Sequence, residues 1–310
     1  MVQVVVSEFM NEEALAPLRQ DYTILFDPTL VDDRPRLLAE VATAEAVIVR
    51  NRTQVDVELL DAAPGLRAVG RLGVGLDNID VEACASRGVI VHPASGANAL
   101  AVAEYVIAAL LMLFRGAYQS NARMLSGSWP RADLQGRETS GKTLALLGLG
   151  GIARLVAERA GALGMRVRAY DPFLDAEDAA WRGVERIAVI DDLLRGADAV
   201  SVHVPLNDET RHVLDASRLE LLADQAVVVN TARGGIVDDG ALAESLRRGR
   251  LGGAALDVFE VEPLTAAAAE MFAGLDNVVL TPHIAGLTAE SNSRVSDVTV
   301  ANVLKTLSDQ

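Results

Sequence analysis

Cysteine occurs once in the 310 residues, as Cys84. That excludes an internal disulfide framework and makes an oxidising compartment unnecessary. Because Cys84 falls in a helical pattern with Val81 and Ala85, the sequence reads it as a small buried side chain rather than a nucleophile. Lysine is nearly missing too, with only Lys142 and Lys305, so positive charge rests on arginine. A formal charge of −15 leaves no basic stripe to neutralise phosphates, and neither nucleic acid nor an anionic membrane is expected as a partner. The longest apolar stretch, Ala99 to Phe114, is interrupted by Glu104 and is short for a membrane span. The opening residues MVQVVVSEF lack a basic n-region and a cleavable apolar core, so no signal peptide is expected and the cytoplasm is the expected location. Low-complexity linkers and short-period repeats are lacking, and no metal site is expected.

What is present is alternation. Short apolar runs at Val2–Val6, Thr23–Phe26, Ala46–Val49, Leu66–Leu72 and Val89–Val91 are separated by helical patterns at Glu12–Arg19, Arg34–Val41, Asp56–Leu60 and Val81–Ala85. Such a series reads as a parallel sheet covered on both faces. A long apolar helix, Ala97 to Tyr118, comes next, followed by a stretch rich in Gly, Ser, Trp and Pro from Asn121 to Ser140. The helix face and the Trp129-Pro130 loop suit burial against a second copy, so a homodimer is expected. A second series has strands at Thr143–Leu147, Arg166–Tyr170, Ala199–Val204, Ala226–Val229, Ala254–Val258 and Val278–Leu280, with a shorter one at Ile187–Val189. The segment Thr288–Leu307 is helical and amphipathic, with Val295, Val298, Val300, Val303 and Leu304, and is expected to return to the first domain. The fold class expected is thus α/β with two doubly wound parallel-sheet domains. Residues 1–96 and 287–310 form one and residues 97–286 the other.

The second series opens on KTLALLGLGGIA, Lys142 to Ala153. A strand ends at Gly148, and Gly150 and Ala153 follow at the start of a helix. In a βαβ unit the first glycine permits the turn, the second lets a pyrophosphate approach the backbone, and the third small residue lets helix pack on strand. A GxGxxA match is weak alone, but the next strand ends at Asp171, where an acid hydrogen-bonds a ribose diol and repels a 2′-phosphate. Together they point to a dinucleotide site that prefers NAD over NADP.

Three later stretches fall just beyond strand ends, where ligands collect in an open α/β sheet. In NTARGGIVD, Asn230 to Asp238, the guanidinium of Arg233 is flanked by small residues and suits bidentate binding of a carboxylate. ALDVFEVEP places Asp257, Glu260 and Glu262 after another strand, and VVLTPHIAG places His283 after the next. A strand-end histidine beside a carboxylate can serve as general acid and base near neutral pH. Glu262 can hold its ring and favour its charged form, although His92, His203 and His212 compete for the role.

With RLGVGLDNID, GLGGIA, NTARGGIVD and TPHIAG together, the chain resembles the D-isomer-specific 2-hydroxyacid dehydrogenases over nearly its whole length. The resemblance implies a central Rossmann NAD domain, a flavodoxin-like substrate domain made from both termini, and a catalytic set matching Arg233, Glu262 and His283. It further implies cofactor contacts at Gly148, Gly150, Gly151, Ile152 and Ala153, with Asp171 at the adenosine ribose and Val204 and Pro205 along the adenine side. Thr231, Ala232, Arg233, Asp257, His283, Ala285 and Gly286 are implied near the nicotinamide, Asp257 binding its carboxamide. Val74 and Gly75 resemble the family's clamp on a substrate carboxylate. Ala153 stands where glycine is commoner, a change the fingerprint tolerates.

Arg50 and Arg71 follow apolar runs, and Arg52 lies two residues past Arg50. Three guanidiniums at strand ends in an acidic protein suggest a second anionic group on the substrate, phosphate or sulfonate. SEFM, IVRNRT, GRLGVGLDNID and ESNSRVS resemble the sulfolactate branch of the family more closely than the phosphoglycerate branch, whose regulatory domains are not expected here. A small anionic 2-hydroxy or 2-oxo acid is the expected partner, sulfolactate before 3-phosphoglycerate. Glyoxylate or hydroxypyruvate reduction is the enzymatic alternative, and formate oxidation has no use for the three arginines. Corepressors of the family bind peptides with the same residues, so an NAD-sensing binding role is the other alternative.

Overall fold

A computed structural model describes residues 2–116 and 120–309. The chain divides into two compact units, one made of residues up to Asn98 together with those from Leu287 onward, the other of Ala99–Gly286.

In the first unit the strands are β1 (Val4–Val6), β2 (Ile24–Phe26), β3 (Ala46–Val49), β4 (Ala68–Arg71) and β5 (Ile90–Pro93), with α1 (Arg34–Glu40), α2 (Val57–Ala62) and α3 (Val81–Ser86) between them. They pair in the order β2-β1-β3-β4-β5, every pair parallel. This is the flavodoxin-like order. The three valines of β1 and all four residues of β3 are buried, which is why these strands read as unbroken apolar runs rather than alternating ones. Asp33, Asp56 and Asp80 each accept a backbone N–H at the start of a helix, so part of the acidic composition is helix capping. The C-terminal helix, Ala289–Ser308, begins with a Thr288–Ser291 capping box. It buries Val295, Val300, Val303 and Leu307 in the cluster that holds Val4, Val6, Ile48 and Ala68, each such side chain stabilising the unit by about 1.5–3 kcal/mol. Gly70 lets it lie close, since a Cβ there would come within 2.7 Å of Thr299 and Val303 side-chain carbons.

The second unit starts with α4 (Ala99–Arg115) and α5 (Ser120–Leu125). It continues through β6 (Thr143–Leu147), α6 (Gly151–Ala162), β7 (Arg166–Tyr170), β8 (Glu185–Arg186), α7 (Ile190–Leu194), β9 (Ala199–Val202), α8 (Ala216–Leu219), β10 (Val227–Asn230), α9 (Asp239–Arg247), β11 (Gly253–Leu256), α10 (Ala266–Ala269) and β12 (Val278–Leu280). Its sheet order is β12-β11-β10-β9-β6-β7-β8, again parallel throughout. The order reverses at β6, between β7 and β9, the crevice where doubly wound sheets bind ligands. Small residues on α6, Ala153, Val156, Ala157 and Ala160, share a core cluster with Ala103, Val106, Leu110 and Phe114 of α4.

Three local expectations are corrected. Glu12–Arg19 is not one helix but two 3-10 turns, Glu12–Leu15 and Leu18–Gln20, separated at Pro17, which lacks the N–H a continuous helix needs. The edge strand β8 lies at Glu185–Arg186, not at Ile187–Val189. Its residues are exposed, while Ile187 packs inward and Val189 is the N-cap residue of α7. The long helix starts at Ala99, not Ala97, and its expected end, Tyr118, lies outside the described residues, as do Met1 and Gln310.

Candidate active site

At the end of β6 the chain turns at Gly148, with φ +91°. A Cβ there would lie 2.6 Å from the carbonyl oxygen of His203 and 3.0 Å from the Val204 side chain, so only glycine allows the turn to pack against the segment after β9. Gly150 caps α6 with extended backbone and no side-chain hydrogen bond. The first N–H groups of α6 therefore lack both an intrahelical partner and a capping side chain. A Cβ at Gly150 or Gly151 would meet no atom within 4 Å, so an anion can reach this backbone. Ala153 is fully buried and Ile152 partly so.

Asp171 follows β7. Its two carboxylate oxygens accept the Leu149 N–H at 2.9 Å and the Phe173 N–H at 3.0 Å, fixing the acid against the glycine turn. Lone pairs remain for a vicinal diol. Past β9, the Pro205 carbonyl accepts the Thr210 hydroxyl at 2.6 Å. Past β10, the Thr231 hydroxyl oxygen is buried with no hydrogen-bond partner among the described residues, a placement that costs about 1–3 kcal/mol unless a ligand meets it. An open helix N-terminus, an anchored acid and an orphaned buried hydroxyl all fit a nicotinamide dinucleotide.

Arg233 is placed by its neighbours. The buried side chain of Asn230 accepts the Ala232 N–H at 3.0 Å and donates to the Arg233 carbonyl at 2.9 Å, while Arg233 Nη1 donates to the Ala232 carbonyl at 2.6 Å. After Arg233 the backbone of Gly234 lies hard against that of Phe259 and Glu260; a Cβ at Gly234 would be 1.9 Å from the Phe259 carbonyl carbon and oxygen. The loop after β11 is thereby brought beside the arginine loop. Its Glu262 accepts the Phe259 N–H at 3.0 Å through Oε1 and the His283 Nδ1–H at 2.8 Å through Oε2. Burial pushes the Glu262 carboxyl up, but His283, through its hydrogen bond and its charge, the Phe259 N–H and the nearby Arg233 charge together hold it below the ordinary carboxylate range.

His283 has φ +56°, a conformation that needs support in a non-glycine residue. Its N–H donates to the Asp257 carbonyl at 2.9 Å. The nearly inaccessible Asp257 carboxylate accepts the Thr281 hydroxyl at 2.5 Å and the N–H groups of Ile284 and Ala285 at 2.8 and 2.7 Å. Thr281 in turn lies 2.6 Å from the Tyr105 hydroxyl. Asp257 thus organises the histidine loop, a task the sequence did not disclose. With Nδ1 donating to Glu262, Nε2 is left to exchange a proton with a ligand, as base when neutral and acid when charged.

The competing histidines are otherwise engaged. His203 is partly buried beside the Ser201 hydroxyl at 2.9 Å, and burial pushes its pKa down to about 4. His92 meets the Thr306 hydroxyl at 2.7 Å. His212 also pairs with a carboxylate, Glu260 at 2.8 Å, but through Nε2.

In the first unit, β3 and β4 are paired with Val49 opposite Arg71, so Arg50 and Arg71 stand at adjacent strand ends. Arg50 donates from Nη1 to the Phe9 carbonyl at 2.9 Å and from Nη1 and Nη2 to Asn292 Oδ1 at 3.2 Å, and its guanidinium lies 5.6 Å from the Phe9 ring centre. Arg71 is largely buried and donates to the Leu72 carbonyl at 3.0 Å. It folds over Gly73, where a Cβ would collide with Nη1; Val74, beyond it, is exposed and Gly75 partly so. Arg52 stands apart, its exposed guanidinium paired with Asp32. Glu8 and Asn292, which hold Arg50, were missed by sequence reasoning. A charged residue two positions past an all-valine strand was the one signal available for Glu8.

The two parallel sheets and the glycine turn at a topological switch point are those of a nucleotide-dependent dehydrogenase fold. The chain belongs to the D-isomer specific 2-hydroxyacid dehydrogenases, the NAD-binding domain of that family matching residues 107–285. These enzymes interconvert a 2-hydroxy acid and its 2-oxo acid. Among relatives, the (S)-sulfolactate dehydrogenase of Chromohalobacter salexigens is 56% identical over 307 residues, covering 99% of each chain. The D-3-phosphoglycerate dehydrogenase of Archaeoglobus fulgidus is 40% identical over 98% of this chain, which spans 57% of that longer protein. The crystal structure of D-lactate dehydrogenase from Aquifex aeolicus, complexed with NAD and lactic acid, superposes with a TM-score of 0.85 at 29% identity, covering 98% of this chain and 95% of that one.

Proposed function

We propose that the protein interconverts sulfolactate and sulfopyruvate, with 3-phosphoglycerate the next candidate. The observation that carries the chemistry is the His283 Nδ1–Glu262 contact at 2.8 Å beside the Arg233 loop. Neutral His283 takes the hydroxyl proton from the 2-hydroxy acid through Nε2, and charged His283 returns it to the 2-oxo acid. Arg233 binds the substrate carboxylate and offsets charge on the C2 oxygen in both directions. Val74 and Gly75, in the first unit, are the backbone groups that the family resemblance assigns to binding a substrate carboxylate. Arg50 and Arg71, with Arg52 outside them, take the second anion, and the 56% identical sulfolactate dehydrogenase supports a sulfonate there. When bound along Gly148–Ala153, Asp171, Val204, Pro205, Thr231, Ala232, Asp257, Ala285 and Gly286, a nicotinamide dinucleotide supplies the hydride donor or acceptor.

NADH oxidation against sulfopyruvate, phosphohydroxypyruvate, hydroxypyruvate and glyoxylate tests the reading. Sulfopyruvate is expected to give the highest kcat/KM; rates at background for every acid would favour the corepressor-like role instead. The anchored Asp171 carboxylate supports NAD over NADP by repelling a 2′-phosphate. Asp171→Asn is expected to raise the NADPH-to-NADH ratio of kcat/KM by roughly tenfold, and an unchanged ratio sinks that assignment. The cytoplasm remains the proposed location. A homodimer is supported by the apolar side chains of Leu100, Leu111, Met124, Leu125 and Trp129, all exposed on the second unit. In the whole described chain no helix is long and apolar enough to cross a membrane.

A further inference from the structure

Tyr105 lies in α4, its side chain packed on the core cluster that holds Ala103, Val106 and Leu110. Packing explains the ring but not its hydroxyl. That hydroxyl is 2.6 Å from the Thr281 hydroxyl, 176 residues away in sequence, and Thr281 donates to Asp257 Oδ1 at 2.5 Å. A threonine has one hydroxyl proton. With that proton committed to the carboxylate, the phenol donates to the threonine oxygen, and the chain runs in one direction from Tyr105 through Thr281 to Asp257. Burial raises the Tyr105 phenol above its ordinary value; the Thr281 hydrogen bond opposes this and the Asp257 charge adds to it. The phenol therefore keeps the proton that it donates.

We infer that Tyr105 is a positioning residue for the reaction, its hydroxyl holding the His283 imidazole in line through Thr281 and Asp257. The inference rests on the proposed role of His283 as acid and base. Both later members of the chain grip the histidine backbone: the His283 N–H is shared between the Asp257 carbonyl at 2.9 Å and the Thr281 carbonyl at 3.0 Å. Residue 283 sits at φ +56°, a conformation that a non-glycine residue keeps only where its surroundings over-determine it. Asp257 Oδ1 accepts the Ile284 N–H at 2.8 Å as well as the Thr281 hydroxyl. A turn of the Thr281 side chain thus disturbs the same oxygen that fixes the backbone just after the histidine. Donation from Tyr105 holds the Thr281 side chain in place and, by polarising its O–H, strengthens the bond to the carboxylate. Without the phenol the Thr281 oxygen loses its donor, and the imidazole is free to drift from its 2.8 Å contact with Glu262. Proton transfer needs the reacting atoms within hydrogen-bond reach, so turnover suffers before binding does.

The test is Tyr105→Phe, which keeps the ring and removes one oxygen. NADH oxidation is followed with whichever of the four 2-oxo acids turns over fastest, and turnover is counted per NADH site titrated by fluorescence, so that an inactive fraction does not pass for slow chemistry. kcat is expected to fall about tenfold, the upper end of what one neutral hydrogen bond contributes. KM for the acid and affinity for NADH should stay within about twofold of wild type, the signature of a loss felt in the transition state alone. Thr281→Val removes the middle of the chain, and in that background Tyr105→Phe is expected to cost nothing more, whereas Thr281→Ser keeps the hydroxyl and should stay near wild type. Wild-type kcat in Tyr105→Phe overturns the assignment, as does an equal loss from Tyr105→Phe with and without the Thr281 hydroxyl, or a loss confined to KM or to NADH affinity. If Thr281→Val does not fold, the split between kcat and KM in Tyr105→Phe decides alone. His283→Gln, run alongside, separates this from failure of the underlying reading. Wild-type turnover in that variant removes the acid–base role and the inference with it, whereas a slow His283→Gln beside an undiminished Tyr105→Phe removes the inference only.

Discussion

His283→Gln is expected to lower turnover by about two orders of magnitude or more while leaving NADH affinity near wild type. Glutamine can donate a hydrogen bond toward Glu262 and fill similar space, but it cannot carry a proton between substrate and solvent. The backbone of residue 283 is held by the Asp257 carbonyl, and the Asp257 carboxylate holds the next two N–H groups, so the loop is expected to survive the change. Stopped-flow turnover with sulfopyruvate and fluorescence titration with NADH make the comparison; wild-type turnover removes His283 from the chemistry. Glu262→Gln should show a milder loss, with its effect concentrated in the pH profile, because the ring would keep a hydrogen bond and lose a fixed charge. The sign for stability follows from the direction of the Glu262 shift. A carboxyl held below its ordinary value contributes stability that is present above its unfolded pKa, about 4.3, and is lost as pH falls through its folded one. In wild type, therefore, the His–Glu contact persists as pH drops into the ordinary carboxylate range and weakens only below it.

The parts legible in the sequence were those written locally. The turn at Gly148, the acid at Asp171 and the strand-end position of His283 are each specified within a few residues, by a conformation or a chemistry that neighbouring side chains cannot replace. The buried strands were legible because β1, β3 and β10 are apolar on both faces. What could not be read depends on pairing between distant residues. Glu8 meets the Arg50 loop only because β1 and β3 are adjacent in the sheet, and Asn292 meets Arg50 across 242 residues of sequence. Arg50 and Arg52 look equivalent in IVRNRT, yet one is held by Asn292 and Phe9 and the other by Asp32. Nothing in the motif separates them. Asp257 is a similar case: its position after a strand suggests ligand contact, but its hydrogen bonds to Thr281, Ile284 and Ala285 appear only once β11 and β12 are side by side.

Gly234→Ala is expected to reduce turnover by about a hundredfold and to lower the unfolding temperature, although residue 234 touches no substrate. Two glycines follow Arg233, and they serve different ends. Gly235 has φ +79° and is needed for the turn. Gly234 is not in the left-handed region, and what it lacks is space: an added methyl carbon would sit 1.9 Å from the Phe259 carbonyl and 2.5 Å from the Glu260 nitrogen. Backbone atoms cannot rotate away as a side chain can, so the loop carrying Arg233 and the loop carrying Glu262 must separate by more than an ångström. The Phe259 N–H is what fixes Glu262 Oε1, and Glu262 Oε2 is what orients His283. The displacement therefore passes along three residues to the imidazole, and a misplacement of about 1 Å is enough to cost a hundredfold in rate. Gly235→Ala offers the contrast, since its penalty is conformational rather than a backbone collision. Circular dichroism melts and steady-state rates on the folded fraction distinguish local misalignment from global unfolding. A Gly234→Ala enzyme with wild-type turnover and unfolding temperature would mean that the arginine and glutamate loops are not locked together through this contact.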